Sequence, residues 1–125
     1  MMPKSFQRSD RIAEEIHRML AEIIQLEVRD PRLQQTSITR VEVTKDLSYA
    51  KVFFGFLTEL AKPKDADQLN KAAGFFRSQL ARRLTARTVP ELRFEVDIAF
   101  QKGEIVREML DQLPKSNNED DSEND

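Results

Sequence analysis

Residues 69–84 read LNKAAGFFRSQLARRL, and how this stretch folds decides the architecture of the chain. Leu69, Ala73, Phe76, Leu80 and Leu84 fall on one face of a helix, the spacing of an amphipathic element turned toward a core. Phe75 lies off that stripe if the helix is straight. Gly74 stands beside it and costs roughly 1 kcal/mol in a helix interior relative to Ala. The spacing therefore predicts a kink, with two half-helices joined at Ala72-Ala73-Gly74 that turn Phe75 into the core.

Upstream, residues 60–67 (LAKPKDAD) read as a polar, proline-containing loop. Before them, residues 48–57 (SYAKVFFGFL) are apolar at nearly every position from Val52, which suits a central strand. Residues 37–43 are a second β-branched run, joined to the first by Thr44-Lys45-Asp46-Leu47 as a β-hairpin. Further back, Ile12, Ile16, Met19, Leu20 and Ile23 mark a helix that Asp30-Pro31 stops near Arg29. Ser5 or Ser9 caps it, and neither has a Glu or Gln three residues on to make a capping box.

Downstream, Pro90 ends the helical region, and Leu92, Phe94, Val96 and Ile98 alternate with Arg93, Glu95 and Asp97, the pattern of a strand with one wet face. Lys102-Gly103 breaks it, and Ile105, Val106, Met109, Leu110 and Leu113 predict a short final helix. After Pro114 there is no apolar residue to bury, so the tail is expected to be disordered. The order is helix, strand, strand, kinked helix, strand. That is an α+β domain at residues 1–113, a three-stranded sheet with helices on one face, followed by an acidic tail at residues 114–125.

At 125 residues, 39% hydrophobic and 34% charged, the composition is that of one soluble domain. No apolar run spans a membrane and no leader is visible, so a cytoplasmic monomer is expected. The absence of cysteine excludes disulfides and thiolate chemistry. The net charge of −2 averages two unlike parts. Residues 116–125 hold five acids and no base, which leaves seventeen acids against all twenty bases, so residues 1–115 carry +3.

Catalysis needs a nucleophile with a base, a carboxylate pair or a metal cluster. His17 is the sole histidine and follows Glu14-Glu15 on a polar helix face, where a solvated surface role is expected. Asp65 and Asp67 lack the further carboxylates of a calcium loop and sit beside Lys62 and Lys64, so they read as loop solubility. The glycines are Gly55, Gly74 and Gly103, which form no phosphate loop. No enzyme, metal, cofactor or small-molecule substrate is expected. The aromatics Phe53, Phe54, Phe56, Phe75, Phe76 and Phe94 lie on strands or helical stripes and read as core, with Tyr49 the one to check for exposure.

What rises above background is residues 68–90, which hold Lys71, Arg77, Arg82, Arg83 and Arg87 and no Asp or Glu. Charge of one sign on a helix and its extension makes a positive field that attracts phosphate. The plainer alternative is that Arg82, Arg83 and Arg87 only complement the negative end of the helix dipole. Arg83 is the awkward member, since a straight helix places it near the apolar stripe. Lys4, Arg8, Arg11 and Arg18 form a second group on or before the first helix, interleaved with Asp10, Glu14 and Glu15, where Glu14 and Arg18 are spaced as an i, i+4 pair.

Five segments occur in order: Arg8-Ser9-Asp10-Arg11, Arg29-Asp30-Pro31-Arg32, residues 46–52 (DLSYAKV), Ala73-Gly74-Phe75 leading to Arg77, and Val89-Pro90-Glu91-Leu92 before Phe94. Over residues 8–110 the chain resembles the ribosome-binding factor A family. The resemblance implies a type II KH-like domain whose usual GxxG loop is replaced by a helix kink at an Ala-x-Gly sequence, here Ala72-Ala73-Gly74. It also implies a non-catalytic assembly factor that binds the immature small ribosomal subunit near the 5′ end and decoding-region helices of its 16S ribosomal RNA. Such factors support late maturation and RNA processing and help growth in the cold.

Without a GxxG clamp, recognition by shape and phosphate contact is favoured over reading of single-stranded bases. The free N–H groups of the half-helix after Gly74 add a phosphate donor set. The expected RNA contacts are Lys71, Arg77, Arg82, Arg83 and Arg87, aided by Arg8, Arg11, Arg18, Lys45 and Lys51. The alternative is a protein-interaction module that uses the open sheet face or the first helix.

Overall fold

The computed structural model describes residues 7–112, apart from the side chains of residues 104–106 and 108. The expectations for the tail at 114–125, for Ser5 as a cap and for Ile105, Val106 and Leu113 as a stripe lie outside the described residues. Helix α1 (Arg8–Glu27) buries Ile12, Ile16, Leu20, Ile23 and Ile24 along one side. Its start is fixed by Asp10, whose carboxylate accepts the Gln7 N–H at 2.8 Å. Ser9 points inward and is buried, so it is not the cap that its residue type suggested.

A 3-10 turn (Leu33–Gln35) leads into β1 (Thr36–Val43), which pairs antiparallel with β2 (Tyr49–Phe56). The turn between them is tied by Asp46, which accepts the Ser48 N–H at 3.0 Å and the Thr44 hydroxyl at 2.8 Å. Leu47 takes a left-handed φ of 64° there and buries its side chain. Next come α2 (Pro63–Lys71), α3 (Ala73–Ala81), β3 (Glu91–Val96) and α4 (Ile98–Asp111). The sheet order is β1-β2-β3 with β3 parallel to β2, giving the α+β, KH-like arrangement.

Three readings of the chain are corrected. Residues 60–67 are not all loop, because α2 begins at Pro63, where a missing N–H costs nothing, and Asp65 accepts the Lys62 N–H at 2.8 Å. Phe75 is not turned inward. The helical course is interrupted at Ala72 (φ −94°, ψ 9°), while Gly74 sits within α3 with open space where a Cβ would be. Asp65, Leu69, Phe76 and Leu80 keep one stripe in phase across the break, so Phe75 stays off it, 41% exposed and edge-on to Phe76. Third, Lys102-Gly103 does not separate a strand from a helix. α4 starts at Ile98 and runs through Gly103, its first turn anchored by Asp97, which accepts the Phe100 N–H at 3.0 Å.

α1, α2 and α3 cover one face of the sheet, and Phe54, Phe56, Phe76 and Phe94 fill the core between. Gly55 points to the opposite face, where a Cβ would run into the Phe100 ring, so glycine at this position lets α4 lie close against the central strand. Gln101, buried behind it, accepts the N–H groups of Phe56 and Ala61 at 2.8 and 3.0 Å.

Candidate nucleic-acid interface

β2 and β3 are parallel neighbours, so they begin at the same end of the sheet, and the Glu91 N–H bonded to Ser48 O at 3.0 Å joins the two starts. The hairpin loop with Lys45 and the segment 82–90 that feeds β3 therefore share this end. α1 must hand the chain to β1 at the far end, which brings its N-terminal half here too. Glu15 fixes the juxtaposition by accepting the Thr85 hydroxyl at 3.0 Å and the Thr85 N–H at 3.4 Å. Arg11 and Arg18 flank Glu15 on α1 at four residues before and three after, the positions that share a helix flank. Arg8, Arg11, Lys45, Arg82 and Arg87 are all exposed around this end.

The outward face of α3 carries Gly74, Ser78 and Ala81, small residues at helical spacing, and they floor a shallow recess walled by Arg77, Arg87, Thr88 and Val89. A phosphodiester backbone can approach closely over small side chains, with Arg87 and the Ser78 and Thr88 hydroxyls as donors. Ser78 and Thr88 were not singled out from the sequence. The spacing 74, 78, 81 is the signal that could have found the first of them.

The structure divides the ten expected contacts. Lys71 is exposed at the junction of α2 and α3, and Arg82 and Arg87 are exposed beyond α3. Arg77 is partly spent within the fold, since its Nε and Nη2 donate to Pro90 O and Val89 O at 3.1 and 2.9 Å. These bonds pin the segment that carries Arg82 and Arg87. Arg83 is half-buried, and its Nη1 is enclosed with no hydrogen-bond partner among the described residues. Arg18 is exposed farther along α1.

Lys51 faces the open side of the sheet, 3.9 Å from Glu95 and near the Phe53 ring, over which the Arg40 guanidinium lies at 4.0 Å. It is not part of the basic end. Tyr49 is half-buried, so it is no free stacking platform.

Two residues read as solvated surface are structural. His17 is half-buried with Nε2 2.9 Å from Ile38 O; a carbonyl can only accept, which places the proton on Nε2. Asp65 is 1% exposed and receives Arg32 through Nε and Nη2 at 2.6 and 2.9 Å, while Arg32 also reaches Glu59 at 2.9 Å. Among the described residues no three His, Cys, Asp or Glu side chains group as a metal site.

Residues 8–110 match the family model described as ribosome-binding factor A. A protein of that description from Methylobacillus flagellatus is 44% identical over 125 aligned residues, covering 98% of each chain. The crystal structure of ribosome-binding factor A from Thermus thermophilus superposes with a TM-score of 0.64 at 30% identity, over 73% of this chain and 97% of that one. A Thermus thermophilus model of the same factor, fitted into a cryo-electron microscopy map of its 30S complex, gives a TM-score of 0.59 at 30% identity, over 69% and 91%.

Proposed function

The chain belongs to the ribosome-binding factor A family, and from that premise we propose that it is a non-catalytic assembly factor for the small ribosomal subunit. It binds the immature particle as a cytoplasmic monomer, through residues 1–113, and supports late maturation and processing of 16S ribosomal RNA, including in the cold. Contact is to RNA phosphate by the basic end of the domain. The observation that carries this is the acid-free stretch 68–90, whose exposed Arg82 and Arg87 stand beside the Arg11 flank of α1.

Each neutralised phosphate releases condensed counterions, so binding falls with salt in proportion to the number of contacts. Replacing Arg82 and Arg87 with Ala is expected to weaken binding to purified small-subunit precursors and to reduce the slope of log affinity against log salt by about 0.7–0.9 per lost contact. A folded double variant with unchanged affinity and slope would refute the assignment. Arg77 and Arg83 are poor test positions, because one holds the loop and the other is half-buried.

A second reading, docking to a protein partner, is favoured by one observation. Leu57, Leu60 and Ile98 are 62%, 47% and 61% exposed where β2 and β3 end, opposite the basic end. It predicts association that survives RNase and high salt.

A further inference from the structure

The acid-free stretch 68–90 borrows a carboxylate from α1. Glu15 turns both oxygens to Thr85: Oε2 accepts the hydroxyl at 3.0 Å, and Oε1 accepts the backbone N–H at 3.4 Å. The other early acids of α1 lie elsewhere, since Asp10 and Glu14 share a recess with His17, Thr39 and Arg40 beside β1. Glu15 is thus the acid that α1 sets among the arginines. Arg11 and Arg18 stand on its own helix flank, and Arg82 and Arg87 are three residues before and two after Thr85.

The charge of Glu15 is not needed for these contacts. Among the described residues it enters no ion pair. It bonds only a neutral hydroxyl and a neutral N–H, and a glutamine would satisfy both, its Oε1 accepting the N–H and its Nε2 donating to the hydroxyl oxygen. Holding the loop therefore requires the shape of the side chain, which leaves its charge free for another task.

We propose that the charge of Glu15 sets the selectivity of the basic end for the shape of its RNA, an inference that rests on the reading of this surface as the RNA-binding one. Attraction to phosphate is independent of sequence, so a purely cationic surface binds any RNA. Discrimination calls for a repulsive element beside the attractive ones. Glu15 is half-buried and fixed where α1 meets the loop, so a backbone laid across both elements brings phosphate against it. A generic duplex, with a phosphate at every step, meets that repulsion. RNA whose fold leaves a gap at Glu15 reaches Arg11, Arg82 and Arg87 without it.

Glu15→Gln separates charge from contact. Binding of a fluorescent RNA hairpin of arbitrary sequence is expected to tighten about two- to fivefold at low salt, the effect of one surface charge contact. The gain should disappear at about 0.5 M salt, where such charges are screened. Affinity for purified small-subunit precursors should stay within about twofold, so the preference for the precursor falls. Thr85→Val keeps the charge and removes the hydroxyl. It should speed amide hydrogen exchange at residues 82–88 without tightening the hairpin.

Unchanged hairpin affinity in a folded Glu15→Gln protein, with Arg82→Ala still weakening it, overturns the role of Glu15 and leaves the RNA surface standing. Equal tightening of hairpin and precursor shows a uniform repulsion without selectivity and overturns it too. Tightening in Thr85→Val as well assigns the effect to a loosened loop, which overturns the role of the charge. Hairpin binding indifferent to Glu15→Gln and Arg82→Ala alike removes the proposal together with the reading of the surface.

Discussion

Asp65 accepts both Nε and Nη2 of Arg32, at 2.6 and 2.9 Å, from a position only 1% exposed. In a run of lysine, proline and aspartate it reads as a soluble loop carboxylate, yet it is buried under Arg32, which ties the segment after α1 to the start of α2. Burial pushes its carboxyl up, and the bonds from Arg32 and the Lys62 N–H outweigh that, so it titrates below the usual value. A depressed folded-state pKa gives stability that is present above the unfolded value, near pH 4, and is lost as pH falls through the folded one. Asp65→Asn is expected to cost about 2–3 kcal/mol at pH 7, and to flatten the decline of stability below pH 4. Denaturant titrations at pH 7 and pH 3 check both, and an equally steep acid decline in the variant would show that other carboxylates carry it.

At the scale of elements, β1 and β3 are both sheet edges, and each is closed by a helix side chain. Asn70 of α2 mimics a strand, donating to Phe94 O at 3.1 Å and accepting its N–H at 2.7 Å. His17 of α1 serves Ile38 O on the other edge. An open edge is a template for pairing with another chain. Asn70→Leu keeps the bulk and orphans two backbone groups. It should lower stability by about 2 kcal/mol, on the order of 8 °C in Tm, and promote concentration-dependent association. A melt with light scattering would register both.

The same scale explains which elements were legible. α1, the hairpin and β3 announce themselves through periods of 3.6 and 2. The break at Ala72 does not turn Phe75 inward, because the stripe of Asp65, Leu69, Phe76 and Leu80 keeps its phase across it. α4 was misplaced because Asp97 as an anchor and Gly55 as a seat for Phe100 are distant in sequence from the residues they organise.

For the whole molecule, charge is polar where the sequence is merely mixed. The basic end gathers residues from α1, the hairpin loop and the segment beyond α3, while Lys51 sits on the balanced open face. Lys51→Ala should accordingly leave affinity for small-subunit precursors within about twofold and the salt slope unchanged, since no phosphate contact is lost. A slope reduced as much as by Arg82→Ala would extend the interface across the sheet. The list of cations was readable from the chain. Their availability was not, because Arg77 and Arg83 are claimed by carbonyls and packing that no local pattern encodes.

By itself the sequence determined the α+β class, the apolar faces and the single-sign stretch at 68–90, since each follows from local periodicity and charge counting along contiguous residues. Only the tertiary structure decided which polar groups are spent on the fold. Arg32 with Asp65, Glu15 with Thr85, Asn70 with Phe94 and Arg77 with Pro90 are pairs 13 to 70 residues apart. Hydrogen bonds that require burial and alignment form between whatever the packing of α1, α2 and α3 on the sheet brings together, and spacing along the chain does not specify them.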